Sequence, residues 1–148
     1  MKALLETLGI DNTPDVDPNP VPLAAANAAA AALRESIPPA PDWLRGSSVV
    51  AIGGPNCLFA VSLRALGKEE ARLIVPEDLE ALLVAVADRE DLRAVAGTHE
   101  FAESPSLVVA KAALFHAVAT HLELSQVHFQ PCIGSCAGVL ITEEFWST

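Results

Sequence analysis

Two adjacent glycines, Gly53 and Gly54, follow a short run of β-branched residues and precede an apolar stretch that can form a helix. A strand that turns through glycines into a helix leaves backbone amides free at the helix N-terminus, where they can hold a phosphate. Glycine also permits close backbone approach and positive φ angles. Asn56 lies in the same turn, whereas Pro55 contributes no N–H. We predict phosphate binding by Gly53, Gly54 and Asn56, with an ordinary tight turn as the alternative.

Two cysteines are candidates for nucleophilic chemistry. Cys57 is expected in the first turn of the helix after the glycines, where the helix dipole favours a reactive thiolate. Cys136 stands at the centre of 134–138 (GSCAG), which matches the outline of a nucleophile elbow with cysteine in place of serine. The alternatives are a packed cysteine at position 57 and a structural glycine turn around position 136. Cys57 and Cys136 are therefore the candidate reactive thiols.

A metal site is the third chemistry that the spacing suggests. His128, Cys132 and Cys136 are spaced by four, which on a helix would align three soft ligands for zinc. Pro131 and Gly134 argue against a helix there, and a fourth ligand is not evident. We predict that this chain alone holds no metal.

The elements that must position these residues alternate between helices and strands. Apolar periodicity and Pro or Gly boundaries predict helices over 23–37 and 58–66, further helices starting at Pro76 and at Ser104–Pro105, and strands over 47–52 and 126–130. The prolines of 11–22 exclude a helix or a central strand, so this stretch is a linker. The predicted organisation is an N-terminal segment and linker over 1–22 and one α/β domain over 23–148.

The helix after Ser104 has one predicted apolar face, interrupted by Lys111. The aliphatic residues on that face are Leu107, Leu114, Val118 and Leu122. His116 lies off this face, and we expect it at the surface or at an interface.

Two segments, 49–57 and 127–136, share one pattern: a short strand followed by a loop that contains glycine and cysteine. Loops at the same ends of neighbouring strands face one crevice, the usual ligand position in open α/β sheets. We therefore predict that the two loops line a single crevice.

Composition excludes several classes of function. The chain has 148 residues, of which 51% are hydrophobic and 19% charged, as expected for one packed domain. The net charge of −10 and the dispersed basic residues argue against nucleic acid as a partner. The sequence has no apolar run long enough to span a membrane and no signal-peptide pattern, so we expect a soluble cytoplasmic protein with reduced thiols.

Four short segments together resemble a known family. They are 17–20 (DPNP) before an Ala-rich helix, 49–54 (VVAIGG) beside the family's V-x-G-x-G-G-T phosphate loop, 76–80 (PEDLE) beside its S-x-E-E-L helix, and 127–140 beside its closing strand and G-L-R-x-G-L segment. Over about residues 17–142 the chain resembles the second lobe of the exopolyphosphatase and guanosine pentaphosphate phosphohydrolase family, of the actin/sugar-kinase/Hsp70 fold group.

The resemblance implies a ribonuclease-H-like half-domain, a single lobe with several helices packed on a small sheet. It also implies polyphosphate or a phosphorylated nucleotide as the ligand. In that family a first lobe carries the other phosphate loop and the glutamate that activates water. We therefore expect a separate first lobe to supply Mg²⁺ and the general base.

Three departures from the family's pattern bear on activity. Pro55 replaces the threonine after the paired glycines, 135–137 (SCA) stands where an arginine is usual, and this chain has no first lobe. The alternative function is therefore a non-catalytic binding or assembly module derived from the lobe, which forms a homodimer or docks on a larger complex. The sequence leaves open whether the chain is an enzyme.

Overall fold

A computed structural model describes residues 19–96 and 104–132 of the chain. In chain order the elements are α1 (Leu23–Ser36), β1 (Ser48–Gly53), α2 (Leu58–Ala65), β2 (Leu73–Ile74), α3 (Pro76–Val86), α4 (Arg93–Ala96), a 3₁₀ turn (Pro105–Leu107), α5 (Val108–His121) and β3 (Gln126–Pro131). The predicted helices and strands in these ranges are confirmed, and the described residues form a small mixed α/β unit. The segment through residue 18 and Cys136 lie outside the described residues.

The sheet has three strands in the order β1-β3-β2. β1 and β3 are parallel, with Ser48 opposite Gln126 and Gly53 opposite Pro131, whereas β2 pairs antiparallel with the other side of β3. Strand β2 was not predicted from the sequence, because two residues are too few to show alternation. The parallel pair requires a crossover between the two strands, and α2 to α5 form it.

Helix α5 lies at the centre of the fold and contacts α1, α2 and α3. Most of its residues are buried: Val108, Val109, Ala110, Ala112, Ala113, Phe115, His116, Ala117 and Ala119. The residues of the predicted apolar face are only half-buried, whereas most residues between them along the helix are buried. A helix that is apolar on all sides is enclosed by its neighbours, and a single stripe does not describe it.

His116 was expected at the surface or at an interface, but in the structure it is buried. The residue is 7% exposed, and its Nε2 lies 3.2 Å from Oε1 of the exposed Glu80. A carboxylate only accepts hydrogen bonds, so this contact places the proton on Nε2. The imidazole is thus packed in the core with one edge reaching α3.

Boundary residues account for the start of α3. Pro76 is the first helical residue, and Asp78 accepts a hydrogen bond from the amide of Val75 at 2.9 Å. Lys68 Nζ lies 2.6 and 2.7 Å from the two carboxylate oxygens of Asp78, which is 8% exposed. This ion pair therefore joins the turn after α2 to the start of α3.

None of the helices in the described ranges has the length and apolar character needed to cross a membrane.

We expect Asp78→Ala to lower the free energy of unfolding by about 2 kcal/mol, since it removes a capping bond and leaves Lys68 without its carboxylate. Urea denaturation measures the loss. The control is Glu77→Ala, an exposed carboxylate in the same helical turn, which should cost far less. Equal losses in the two variants would contradict a structural role for the Lys68–Asp78 pair.

Candidate phosphate-binding site

The first predicted loop and the described start of the second one meet at one end of the parallel strand pair. Gly53 is the last residue of β1, and its carbonyl accepts a hydrogen bond from the amide of Cys132 at 2.9 Å, just beyond β3. This part of the single-crevice prediction is confirmed. A cavity of about 350 Å³ opens here. Its lining is Gly53, Gly54, Pro55, Ala60, Leu63, Arg64, Glu69, Glu70, Arg72, Phe129, Pro131 and Cys132.

Gly53 is needed for packing rather than for an unusual backbone angle. A Cβ at this position would lie 2.7 Å from Cys57 Sγ and 2.8 Å from Cys57 Cβ, closer than real atoms approach. A Cβ at Gly54 would have only an ordinary 3.9 Å contact with the carbonyl oxygen of Cys132. Positive φ angles occur at Gly46 and Gly67 among the described glycines, and not at Gly53 or Gly54.

The turn between β1 and α2 is held through its carbonyl groups. The amide of Cys57 donates to Gly54 O at 3.1 Å, Arg64 Nη1 donates to Pro55 O at 2.8 Å, and Lys111 Nζ donates to Asn56 O. The amides of Gly54 and Asn56 have no acceptor among the described residues. The cations therefore stabilise the carbonyl side of the turn and leave amides available to an anion.

Arg64 also ties the turn to α4. Its Nε donates to Val95 O at 2.7 Å and its Nη2 donates to Ala96 O at 3.2 Å. With the Pro55 bond, the planar guanidinium connects two segments far apart in sequence, which an ammonium cannot do with the same geometry. Arg64 is thus mainly structural, although its charge lies in the cavity wall.

Arg72 is the cation in the cavity wall whose side chain is available for a ligand. Its backbone has a φ of 51°, and its carbonyl accepts a hydrogen bond from the amide of Phe129 at 2.8 Å. Its exposed guanidinium has no hydrogen bond or ion pair with the described residues. Glu69 and Glu70, also exposed, share the wall and reduce its positive potential. Arg72 and the turn amides are therefore the groups of this cavity that could contact an anion.

The structure places the predicted site residues in different environments. Gly53 and Gly54 line the cavity, whereas Asn56 does not. Asn56 bonds Lys111 through its backbone carbonyl, and its Oδ1 is buried with no partner among the described residues. Cys57 is the half-buried N-cap residue of α2, and its Sγ accepts a hydrogen bond from the amide of Ala60 at 3.4 Å. Packing and capping account for this thiol.

The three cations at this site were not predicted from the sequence. Arg64 and Arg72 enter the cavity wall from α2 and from the residue before β2, and Lys111 reaches the turn from α5. The signal for Lys111 was its position as the single polar break in an apolar face. Arg72 had no such signal, because the unpredicted strand β2 fixes its place.

A metal ion would need several converging side chains. Within 19–96 and 104–132, no group of three or more His, Cys, Asp or Glu side chains has the arrangement of a metal site. His128 is on the exposed face of β3, so it does not form the helical ligand row with Cys132 that the four-residue spacing would require.

Comparison with protein-family models, with curated proteins and with solved structures finds no match to this chain.

We expect Gly53→Ala to lower the free energy of unfolding by about 1–3 kcal/mol, because the added methyl overlaps Cys57. Combining it with Cys57→Gly should restore most of that stability, since glycine at a helix N-cap costs only a few tenths of a kcal/mol by itself. Gly54→Ala is the matched control and should be nearly neutral. A double-mutant cycle by thermal or urea denaturation measures the coupling. Additive losses would contradict the contact.

Proposed function

We propose that this chain is the phosphate-binding lobe of an exopolyphosphatase-type phosphohydrolase that acts on polyphosphate or a phosphorylated nucleotide. A separate first lobe supplies Mg²⁺ and the general base. The observation that carries the proposal is the turn of Gly53 and Gly54 at the end of a parallel strand, in the wall of a cavity that also contains Arg72. Free amides and a cation are the groups that bind phosphate oxygens.

The ribonuclease-H-like assignment of the lobe belongs to the same proposal. Its support is the parallel pair β1–β3 joined by a helical crossover, together with the segments that resemble the family. The resemblance also predicts that the cavity mouth faces the first lobe, so that a phosphate chain is held between the two lobes.

The charged groups at the cavity indicate which steps this lobe performs and which the first lobe performs. Phosphoryl transfer needs cations or metal ions that neutralise the developing charge and a group that positions the attacking water. Among the described cations at the cavity and its turn, Arg64 and Lys111 donate to backbone carbonyls, so Arg72 is the proposed cation for a phosphate. The proposed role of this lobe is therefore to bind and orient, and the chemical step uses groups of the first lobe.

Tripolyphosphate binding, measured by calorimetry with the full chain, tests the ligand site. Arg72→Ala should weaken binding about tenfold, the equivalent of one charge-assisted contact. Arg34→Ala is the control, because this exposed arginine on α1 does not line the cavity. Glu70→Gln should strengthen binding, since it removes a like charge. If the wild-type protein does not bind tripolyphosphate, or if both arginine variants bind as it does, the proposed site is wrong.

Mixing this chain with a separately expressed first lobe and Mg²⁺ tests catalysis. We expect phosphate release from polyphosphate or from a phosphorylated nucleotide in the mixture, and none from either chain alone. Release should fall in the Arg72→Ala mixture and remain in the Arg34→Ala mixture. Absence of release from both substrate classes would contradict the catalytic role even if tripolyphosphate binds.

The second candidate is a binding or assembly module that retains the lobe without the reaction. The observation in its favour is apolar surface on β1, where the side chains of Val50 and Ile52 are 65% and 60% exposed. A chain that associates through this surface, and neither binds tripolyphosphate nor releases phosphate in the mixture, would be this module.

A further inference from the structure

Strand β1 lies at one edge of the sheet, and no described element covers its outer side. The described order is β1-β3-β2, so one edge of β1 has no partner strand among residues 19–96 and 104–132. Parallel sheets normally have both faces covered and do not end in long open edges. The six residues of β1 (SVVAIG) include no proline or charged residue, the features that proteins use to protect such edges.

In the described part of the chain, the outer face of the sheet has no Asp, Glu, Lys or Arg side chain, in a protein with a net charge of −10. From the strand register, the residues on this face are Ser48, Val50 and Ile52 of β1, Leu73 of β2, and Gln126, His128 and Gln130 of β3. Ala51 and Val127, on the opposite face, are buried in the core. Two copies of a strongly acidic chain repel each other over most orientations. This face allows close approach without placing carboxylates opposite one another.

Apolar surface continues from β1 toward α5. A groove of about 300 Å³ is lined by Val49, Val50 and Ala51 of the strand and by Leu114, Val118 and Leu122 of the helix, together with other apolar residues. The three helix residues belong to the apolar face that the sequence predicts, and this face is only half-buried. Trp43, in the turn before β1, is 77% exposed. The open edge and the groove share Val49, Val50 and Ala51 and so form one stretch of apolar surface, of the kind that marks an interface. The turn with Trp43 also contains the exposed charged residues Asp42 and Arg45, so it is not part of this apolar stretch.

We propose that β1 is the contact between two copies of this chain, with the two β1 strands antiparallel across a two-fold axis. A two-fold contact uses the same surface from both copies, so the strand must be complementary to itself. With Ala51 opposite Ala51, Val50 of one copy lies beside Ile52 of the other on the outer face, and Val49 faces Gly53 on the inner face. Both pairings join residues of compatible size, and the two sheets become one continuous six-stranded sheet.

The dimer develops the assembly-module candidate and does not depend on phosphate binding. Gly53, the last residue of β1, borders both the proposed strand pairing and the cavity, whereas every other residue of the cavity lining lies outside β1. A dimer can therefore form whether or not the cavity holds a phosphate.

Sedimentation equilibrium of the full chain tests the dimer. The wild-type protein should show a reversible monomer–dimer equilibrium that strengthens with added NaCl, because salt screens repulsion between acidic chains over a Debye length of about 10 Å at 0.1 M. Val50→Lys and Ile52→Lys should each raise the dissociation constant at least about tenfold, through lost apolar contact and introduced like charge. Both side chains are largely exposed, so circular dichroism should show a folded protein in each case.

Val84→Lys is the matched control. Val84 is on α3 and is 63% exposed, close to the 65% of Val50, so the same substitution adds the same charge away from β1. Dimer loss in Val50→Lys with retention in Val84→Lys supports the proposal. A wild-type monomer at all concentrations overturns it, as does a dimer that Val50→Lys leaves unchanged. If the chain is monomeric alone and associates only with a separate first lobe, the dimer proposal is wrong and the edge of β1 is the contact with that lobe. A monomer that still binds tripolyphosphate overturns the dimer and leaves the phosphohydrolase proposal standing.

Discussion

Parallel pairing of β1 with β3 is the constraint on which the rest of this structure depends. Parallel neighbours cannot be joined by a tight turn, so the residues between Gly53 and Gln126 must form a crossover that returns to the starting end of the sheet. The crossover ends with α5, whose small side chains let three other helices contact it. The same pairing brings the ends of β1 and β3 together and so creates the cavity between the two loops. Core, crossover and candidate site thus follow from one strand pair.

Local signals were enough to predict most elements but not their surroundings. Prolines and glycines mark helix ends wherever they occur, and α2 ends as predicted near Gly67, which has a φ of 65°. The orientation of α5 could not be predicted in the same way, because a stripe argument assumes that one face meets solvent. For a helix surrounded by others, burial depends on tertiary packing, and alanine gives little periodic contrast. Likewise, the burial of His116 arises from its contact with α3 rather than from its neighbours in sequence.

The candidate site, too, could be predicted only in part from the sequence. The glycine turn and the shared crevice could be predicted, because both depend on residues close to a strand end. The charges around them could not, since Arg64, Arg72 and Lys111 come from three separate parts of the chain. Their roles also differ: Arg64 and Lys111 donate to turn carbonyls, and the Arg72 side chain is available for a ligand. The net charge of −10 and the dispersed basic residues in the sequence therefore did not indicate that three cations meet at this site.

The contact between Gly53 and Cys57 makes the sulfur atom a spacer between the strand and the helix that follows it. Its neighbourhood has no unused volume toward β1, where even a methyl group would overlap. A covalent adduct on this thiol would therefore not fit between β1 and α2. It must turn outward or force α2 away from the sheet, and either movement would disturb the Gly53–Gly54 turn. Alkylating agents and oxidants would thereby change the shape of the Gly53–Gly54 turn without Cys57 having any catalytic role.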